Sequence, residues 1–180
     1  MPRGTGSTRQ NDFFGVCSHC TVASSCCWGT RPPITRRRRK TIEAYLKKNG
    51  IAVADGFVEA DYVFPRENPE GRCVFFNIET AKCLIHPVKP ETCVAGPITF
   101  DINKQSGSVE WYIKKESICP LAGIVFKDKQ MLGLRLKIAK RELLTLIDAL
   151  SPKELEAILK KDEPDTFKID EDDTRTGDGT

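Results

Sequence analysis

Between Lys129 and Leu150 apolar residues recur mostly by threes and fours, at Leu132, Leu136, Ala139, Leu143, Leu146, Ile147 and Leu150, the spacing that lines one face of a helix. The segment predicts a long amphipathic helix. Arg135, Lys137, Lys140 and Arg141 are read on its opposite, basic face. The stripe packs against the rest of the chain or forms a dimer seam. Ser151-Pro152-Lys153-Glu154 then matches a capping box with proline at the first helical position, predicting a short helix to about Lys161. Upstream, Thr35 can cap a helix from about Arg36 to Asn49, closed by Gly50 and buried along Ile42, Tyr45 and Leu46.

Between these helices the apolar runs are short. Tyr62-Val63-Phe64 predicts a strand ended by Pro65, and Asn68-Pro69-Glu70-Gly71 predicts a turn. Val74 to Phe76 and Leu84 to Ile85 flank a turn near Glu79 to Lys82, which reads as a hairpin. Phe100 to Ile102 and Val109 to Ile113 predict two strands around Ser106-Gly107-Ser108. The expected fold is α+β: a small irregular cysteine-rich metal-binding core with short strands, packed on the long C-terminal amphipathic helix. Residues 1–12 read as a flexible leader, 13–161 as one domain, and 162–180 as an acidic tail with little fixed structure past Pro164.

A hydrophobic content of 39% within 180 residues allows a core of ordinary size. No apolar run is long enough to cross a bilayer, and the first sixteen residues lack the apolar stretch of a secretory signal. The expected location is a reducing cytoplasm without membrane contact, where thiolate ligands outrank disulfides.

The net charge of +3 conceals a split. Residues 162–180 hold eight acids against Lys168 and Arg175, leaving −6, so residues 1–161 carry +9. The basic run Arg36 to Lys40, with Lys47 and Lys48 on the same predicted helix, could meet phosphates or an acidic partner. A solvated face is the commoner use of such a run, and no aromatic residues for base stacking are interleaved with it.

The strongest chemical signal is the eight cysteines. Cys17 and Cys20 have two residues between them, the spacing at which one turn aims two thiolates at a metal. Cys26 and Cys27 are adjacent, which suits a cluster of several metal atoms or two neighbouring sites better than one small ion. Cys73, Cys83 and Cys93 fall ten residues apart, and Cys119 precedes Pro120. These spacings suit a site assembled from a hairpin, the loop after it and a later strand end, so folding and metal binding should be coupled. All eight are candidate ligands. His86, three residues after Cys83, is a possible substitute ligand; His19, between Cys17 and Cys20, reads as a hydrogen-bond donor or a solvent-facing residue.

An early Cys-x-x-Cys followed by Cys-Cys, then Gly-x-Cys-x-Phe, Cys-x-x-His, Lys-Pro-x-x-Cys and a late Cys-Pro together resemble the YkgJ-like cysteine-cluster family, a zinc- or iron-chelating domain, over about Phe14 to Gly123. The family usually reads Cys-x-x-Tyr-x-x-Arg-Pro-x-x-Cys where this chain has Cys83 to Cys93. His86 stands at the aromatic position and Lys89 at the arginine, which keeps the charge and loses the planar fork. The first group is usually tighter, with glycine where Ser25 stands.

The resemblance implies a metal or iron–sulfur cofactor in a small cytosolic protein. Four-thiolate zinc sites and iron–sulfur clusters are both compatible with the cysteines, and the vicinal pair favours an iron–sulfur cluster, of the 4Fe–4S type, over zinc. The first functional reading is a redox or accessory factor for another protein. The second is a zinc-stabilised binding module whose basic helix contacts nucleic acid or an acidic protein. The third is a protein-modifying enzyme, since one branch of the family looks related to a flagellin lysine methylase; no glycine-rich loop for a methyl donor stands between a strand and a helix. Catalytic residues and oligomeric state are not legible.

Overall fold

The computed structural model describes residues 26–161 and 165–173. The expected leader, together with Cys17, His19 and Cys20, lies outside the described residues. The order is α1 (Arg36–Lys48), β1 (Phe57–Glu59), β2 (Val63–Pro65), β3 (Phe76–Asn77), β4 (Lys82–Cys83), a 3-10 turn (His86–Val88), α2 (Glu91–Ala95), β5 (Ile98–Ile102), β6 (Val109–Lys114), α3 (Pro120–Lys127), α4 (Lys129–Ala149), α5 (Pro152–Leu159) and β7 (Thr166–Asp172). Helices combine with small antiparallel sheets, an α+β architecture.

Two hydrophobic clusters organise these elements. The smaller gathers Ile42 and Leu46 of α1, Phe75 before β3 and Ile85 after β4. Thr35 caps α1 by accepting from the Arg38 amide, and Gly50 at φ +64 follows its end, where glycine meets no Cβ penalty. The larger cluster sets Ile98 and Phe100 of β5 and Val109, Trp111 and Ile113 of β6 against Ala139, Leu143 and Leu146 of α4. Alternation along β6 is regular, with Val109, Trp111 and Ile113 buried and Glu110, Tyr112 and Lys114 partly exposed, so one face of the sheet meets the helix.

Four expectations need correction. The acidic segment past Pro164 contains the strand β7, antiparallel to β6 with Ile113 opposite Phe167 and Val109 opposite Asp172. Lys140 of α4 donates to Asp170 at 2.8 Å and Asp172 at 2.7 Å, and the Trp111 indole N–H donates to Asp172 at 2.9 Å. Distant basic and aromatic partners therefore hold Thr166–Asp172, within what composition presents as a solvated tail.

Arg135 is the second correction: it is 4% exposed, not on the outer basic face. It stands three residues after Leu132 and four before Ala139, on the apolar stripe itself. Third, Cys93 lies on the short helix α2 rather than in a loop, and Cys119 caps the unforeseen helix α3 with Pro120 at its first position. Fourth, the run Arg36 to Lys40 is not uniformly a solvated face. Arg38 pairs with Glu91 at 3.4 Å and Glu142 at 2.5 Å, while Arg39 pairs with Glu43 at 2.8 Å and with Glu59.

Candidate metal centre

Backbone pairing brings the cysteine segments together. The Cys73 amide donates to the Cys27 carbonyl at 2.8 Å and the Gly29 amide to Gly71 at 3.0 Å, with Trp28 bridging antiparallel to Arg72. The vicinal pair is thereby laid alongside the strand-like run that carries Cys73. The Arg72 guanidinium lies 5.0 Å from the Trp28 ring and 5.8 Å from Phe76, a cation–π contact that clamps this lip. Gly71 allows the approach: its φ is +79, and an added Cβ would lie 3.0 Å from the Trp28 indole nitrogen.

A second pairing adds Cys83. In the β3–β4 hairpin Phe76 stands opposite Cys83, and the Phe76 amide donates to the Cys73 carbonyl at 2.9 Å. The chain then makes the 3-10 turn, passes Lys89 and Pro90, and enters α2 with Cys93 in its middle. Arg135 holds the far end of that helix, donating from Nη2 to the carbonyl oxygens of Val94 at 3.0 Å and Ala95 at 3.3 Å. Orphan carbonyls of a helix C-terminus need donors, and a cation there also suits the helix dipole.

The thiols influence one another. Cys26 and Cys27 share a side-chain hydrogen bond, which lowers the Cys26 thiol to about 6 and raises Cys27 well above its ordinary value. Burial pushes Cys73 up to about 11, aided by the charges of Cys83, Glu67 and Cys26. Burial also raises Cys83 and Cys93, against the pull of Lys89. Each of Cys73, Cys83 and Cys93 responds to Cys26, so these four and Cys27 form one electrostatic neighbourhood. A metal entering it must displace protons from most of these thiols, which couples binding to pH.

Cys119 packs on the larger core, which also contains Ala95, two residues beyond Cys93. His86 opens the 3-10 turn, half-buried, with burial and then the Lys89 charge holding its imidazole below its ordinary value. Among the described residues no three His, Cys, Asp or Glu side chains form a ready cage for an ion. The donor set is nonetheless soft sulfur beside lysines, a chemistry that fits zinc or iron and not calcium or magnesium. Lys114, whose charge lowers Cys26, and Arg135 escaped the sequence reading of the site. Arg135 was detectable from its position on the apolar stripe; Lys114 carried no local signal.

Comparison with known families matches residues 16–120 to one described as "CxxCxxCC: Putative zinc- or iron-chelating domain". The chain belongs to this family. Membership supports cysteine-ligated metal binding. The family's signature has two residues between its second and third cysteines, whereas five separate Cys20 from Cys26 here. The matched region takes in α1 to β6, while α3, α4, α5 and β7 lie beyond its end at residue 120 or start on it. An uncharacterized protein of Methanocaldococcus jannaschii is 28% identical over 90 residues, covering 49% of this chain and 48% of that protein. The chain thus spans about half the length of the curated relative it matches. No solved structure matches the chain. Among the described residues no helix is long and apolar enough to cross a membrane.

Proposed function

We propose that this chain is an iron–sulfur protein of the cytoplasm, acting as a redox or accessory factor for another protein. The reading is supported by membership of the cysteine-cluster family together with the backbone pairing that lays Cys27 alongside Cys73 and sets Cys83 opposite Phe76 in the hairpin that follows. Neighbouring thiolates are easier to use around several irons than around one tetrahedral ion. Cys26, Cys27, Cys73, Cys83 and Cys93 would hold the group, with Cys17, Cys20 and Cys119 completing the candidate set. Bound there, an iron–sulfur cluster would supply one-electron chemistry. The chain's own part is to bring ligands from distant segments together, to place Lys89 and Lys114 beside them, and to keep Cys73, Cys83 and Cys93 partly screened from water.

Metal and acid-labile sulfide analysis, with an absorption spectrum on protein purified without oxygen, tests this directly. Iron with sulfide in comparable amounts is expected. Zinc without sulfide would overturn the cluster and leave the second reading, a zinc-stabilised binding module. One observation favours that alternative: Arg36, Arg37, Lys40, Lys47 and Lys48 of α1 are all exposed. Binding of a nucleic acid through them would weaken steeply with added salt.

A further inference from the structure

Helix α1 breaks a local electrostatic rule. A helix N-terminus carries partial positive charge and favours acids, yet the first turn of α1 holds Arg36, Arg37 and Arg38 and no acidic residue. Like charges also stand one turn apart, Lys40 below both Arg36 and Arg37, which weakens a helix further. The fold compensates only part of this. Arg38 is met by Glu91 and Glu142, and Arg39 by Glu43 and Glu59. Arg36, Arg37, Lys40, Lys47 and Lys48 are exposed, and among the described residues no carboxylate stands within ion-pair distance of them. The Glu154 carboxyl is lowered first by its hydrogen bonds from Ser151 and last by the charge of Arg36. Cations left uncompensated where helix electrostatics disfavours them point to a partner outside the chain.

We propose that the outer face of α1 binds the phosphate backbone of double-stranded DNA without reading its sequence. At about 100° per residue the five cations fall within about 120° of the helix circumference, away from the buried Ile42 and Leu46, and run about 18 Å along it. That length of duplex carries about ten phosphate charges. A protein partner would seek an apolar or aromatic anchor at the centre of the contact, where lysine is depleted. Only Thr41 and Ala44 lie between the cations, and the Thr41 hydroxyl donates to the Arg37 carbonyl at 3.1 Å. The face therefore offers nothing for a base edge or a ribose hydroxyl. Tyr45, the one aromatic of α1, packs against the smaller core, so no ring is left there to stack an unpaired base. Small residues between long cations do allow close approach to a backbone. The inference goes beyond the iron–sulfur reading, rests on the exposed α1 cations of the second reading, and holds whichever metal the cysteines take.

The test titrates full chains purified without oxygen against a short fluorescent DNA duplex, reading anisotropy between about 50 and 200 mM salt. Two duplexes of unrelated sequence should bind alike. The slope of log affinity against log salt should approach about −4.5 when all five cations meet phosphates, about 0.9 for each. The triple variant Arg37→Gln, Lys40→Gln, Lys48→Gln should flatten that slope by about 2.7. A control triple, Lys82→Gln, Lys104→Gln, Lys129→Gln, removes the same charge from exposed lysines outside α1 and should leave it unchanged. The α1 triple should unfold in urea no earlier than wild type, because like-charge repulsion is relieved. Absence of duplex binding overturns the proposal, as does equal weakening in both triples. So does tighter binding of an RNA duplex or of a polyglutamate peptide, or earlier unfolding of the α1 triple. Metal measured on the same samples tests the cysteine reading separately: its absence overturns that reading and leaves this one to the duplex titration.

Discussion

Arg135 donates from Nη2 to the carbonyl oxygen of Val94 at 3.0 Å, one residue past Cys93. A side chain on the long helix thus fixes the end of the one-turn helix that carries a candidate ligand. Arg135→Met should cost about 1–3 kcal/mol, because the Val94 and Ala95 carbonyls lose their donor inside the protein. Urea unfolding measures the loss, and weaker metal retention should accompany it. Stability equal to wild type would show that the helix end needs no such partner.

Gly96 is the other half of that contact. Its φ is +69, and an added Cβ would lie 2.9 Å from Arg135 Nη2. Gly96→Ala should destabilise by at least the roughly 1–2 kcal/mol of a left-handed alanine, plus whatever the arginine loses by moving. The same urea titration, combined with Arg135→Met in a double-mutant cycle, should show non-additive effects.

Arg38 connects three helices, reaching Glu91 at the start of α2 and Glu142 on α4. The Glu91 side chain is 2% exposed, so Arg38→Ala leaves a buried carboxylate without its cation. A loss of about 3 kcal/mol is expected, the lower end for breaking a buried pair. Arg37→Ala, on an exposed residue of the same helix, should change thermal stability very little.

Metal removal should act unevenly. The cluster around Ile42, Leu46, Phe75 and Ile85 is small and lies with the cysteine hairpin, whereas β5, β6 and α4 share a larger core. Chelation should therefore raise amide hydrogen exchange in β3 and β4 well before β6 or α4. Uniform loss of protection across both clusters would contradict two separable layers.

The anchoring of β7 depends on pH through Glu110. Its carboxyl is lowered from 4.5 to about 2, first by the hydrogen bond from Lys168 and then by those from Tyr112 and Asn103. A depressed folded-state value stabilises above the ordinary carboxyl range and is lost as pH falls through the folded value. Between pH 4.5 and about 2 the contact should weaken, and the amides of β6 and β7 should exchange faster. Glu110→Gln should flatten that dependence and show already at neutral pH the weaker protection of β6 and β7 that wild type reaches only on acidification.

Local chemistry explains what was legible beforehand. The capping box at Ser151 and Glu154 forms as written, with Ser151 accepting from the Glu154 amide, and α1 begins after Thr35. The strands Val63–Pro65, Ile98–Ile102 and Val109–Lys114 overlap the apolar runs that announce them. These features depend on residues within a few positions of one another, where spacing and turn chemistry act directly. Cysteine order likewise announced the cysteine-cluster family, because its motif is written in the residues themselves.

What remained hidden depended on partners distant in the chain. The acidic run of β7 looks solvated until Lys140 and the Trp111 indole meet it from 30 and 61 residues away. Arg135 looks like surface charge until the carbonyls of α2, about 40 residues upstream, accept its protons. Lys89 reads as a modest substitution until folding leaves it only 8% exposed, just before the helix that carries Cys93. Charge and hydrogen-bonding capacity belong to a residue, but whether water or protein satisfies them is settled by which segments the fold brings together. The chain's own residue order therefore specified α1, α4, α5 and the main strands; the packed fold decided that Cys27 lies alongside Cys73, that Arg135 holds the helix of Cys93, and that the acids of β7 are ordered.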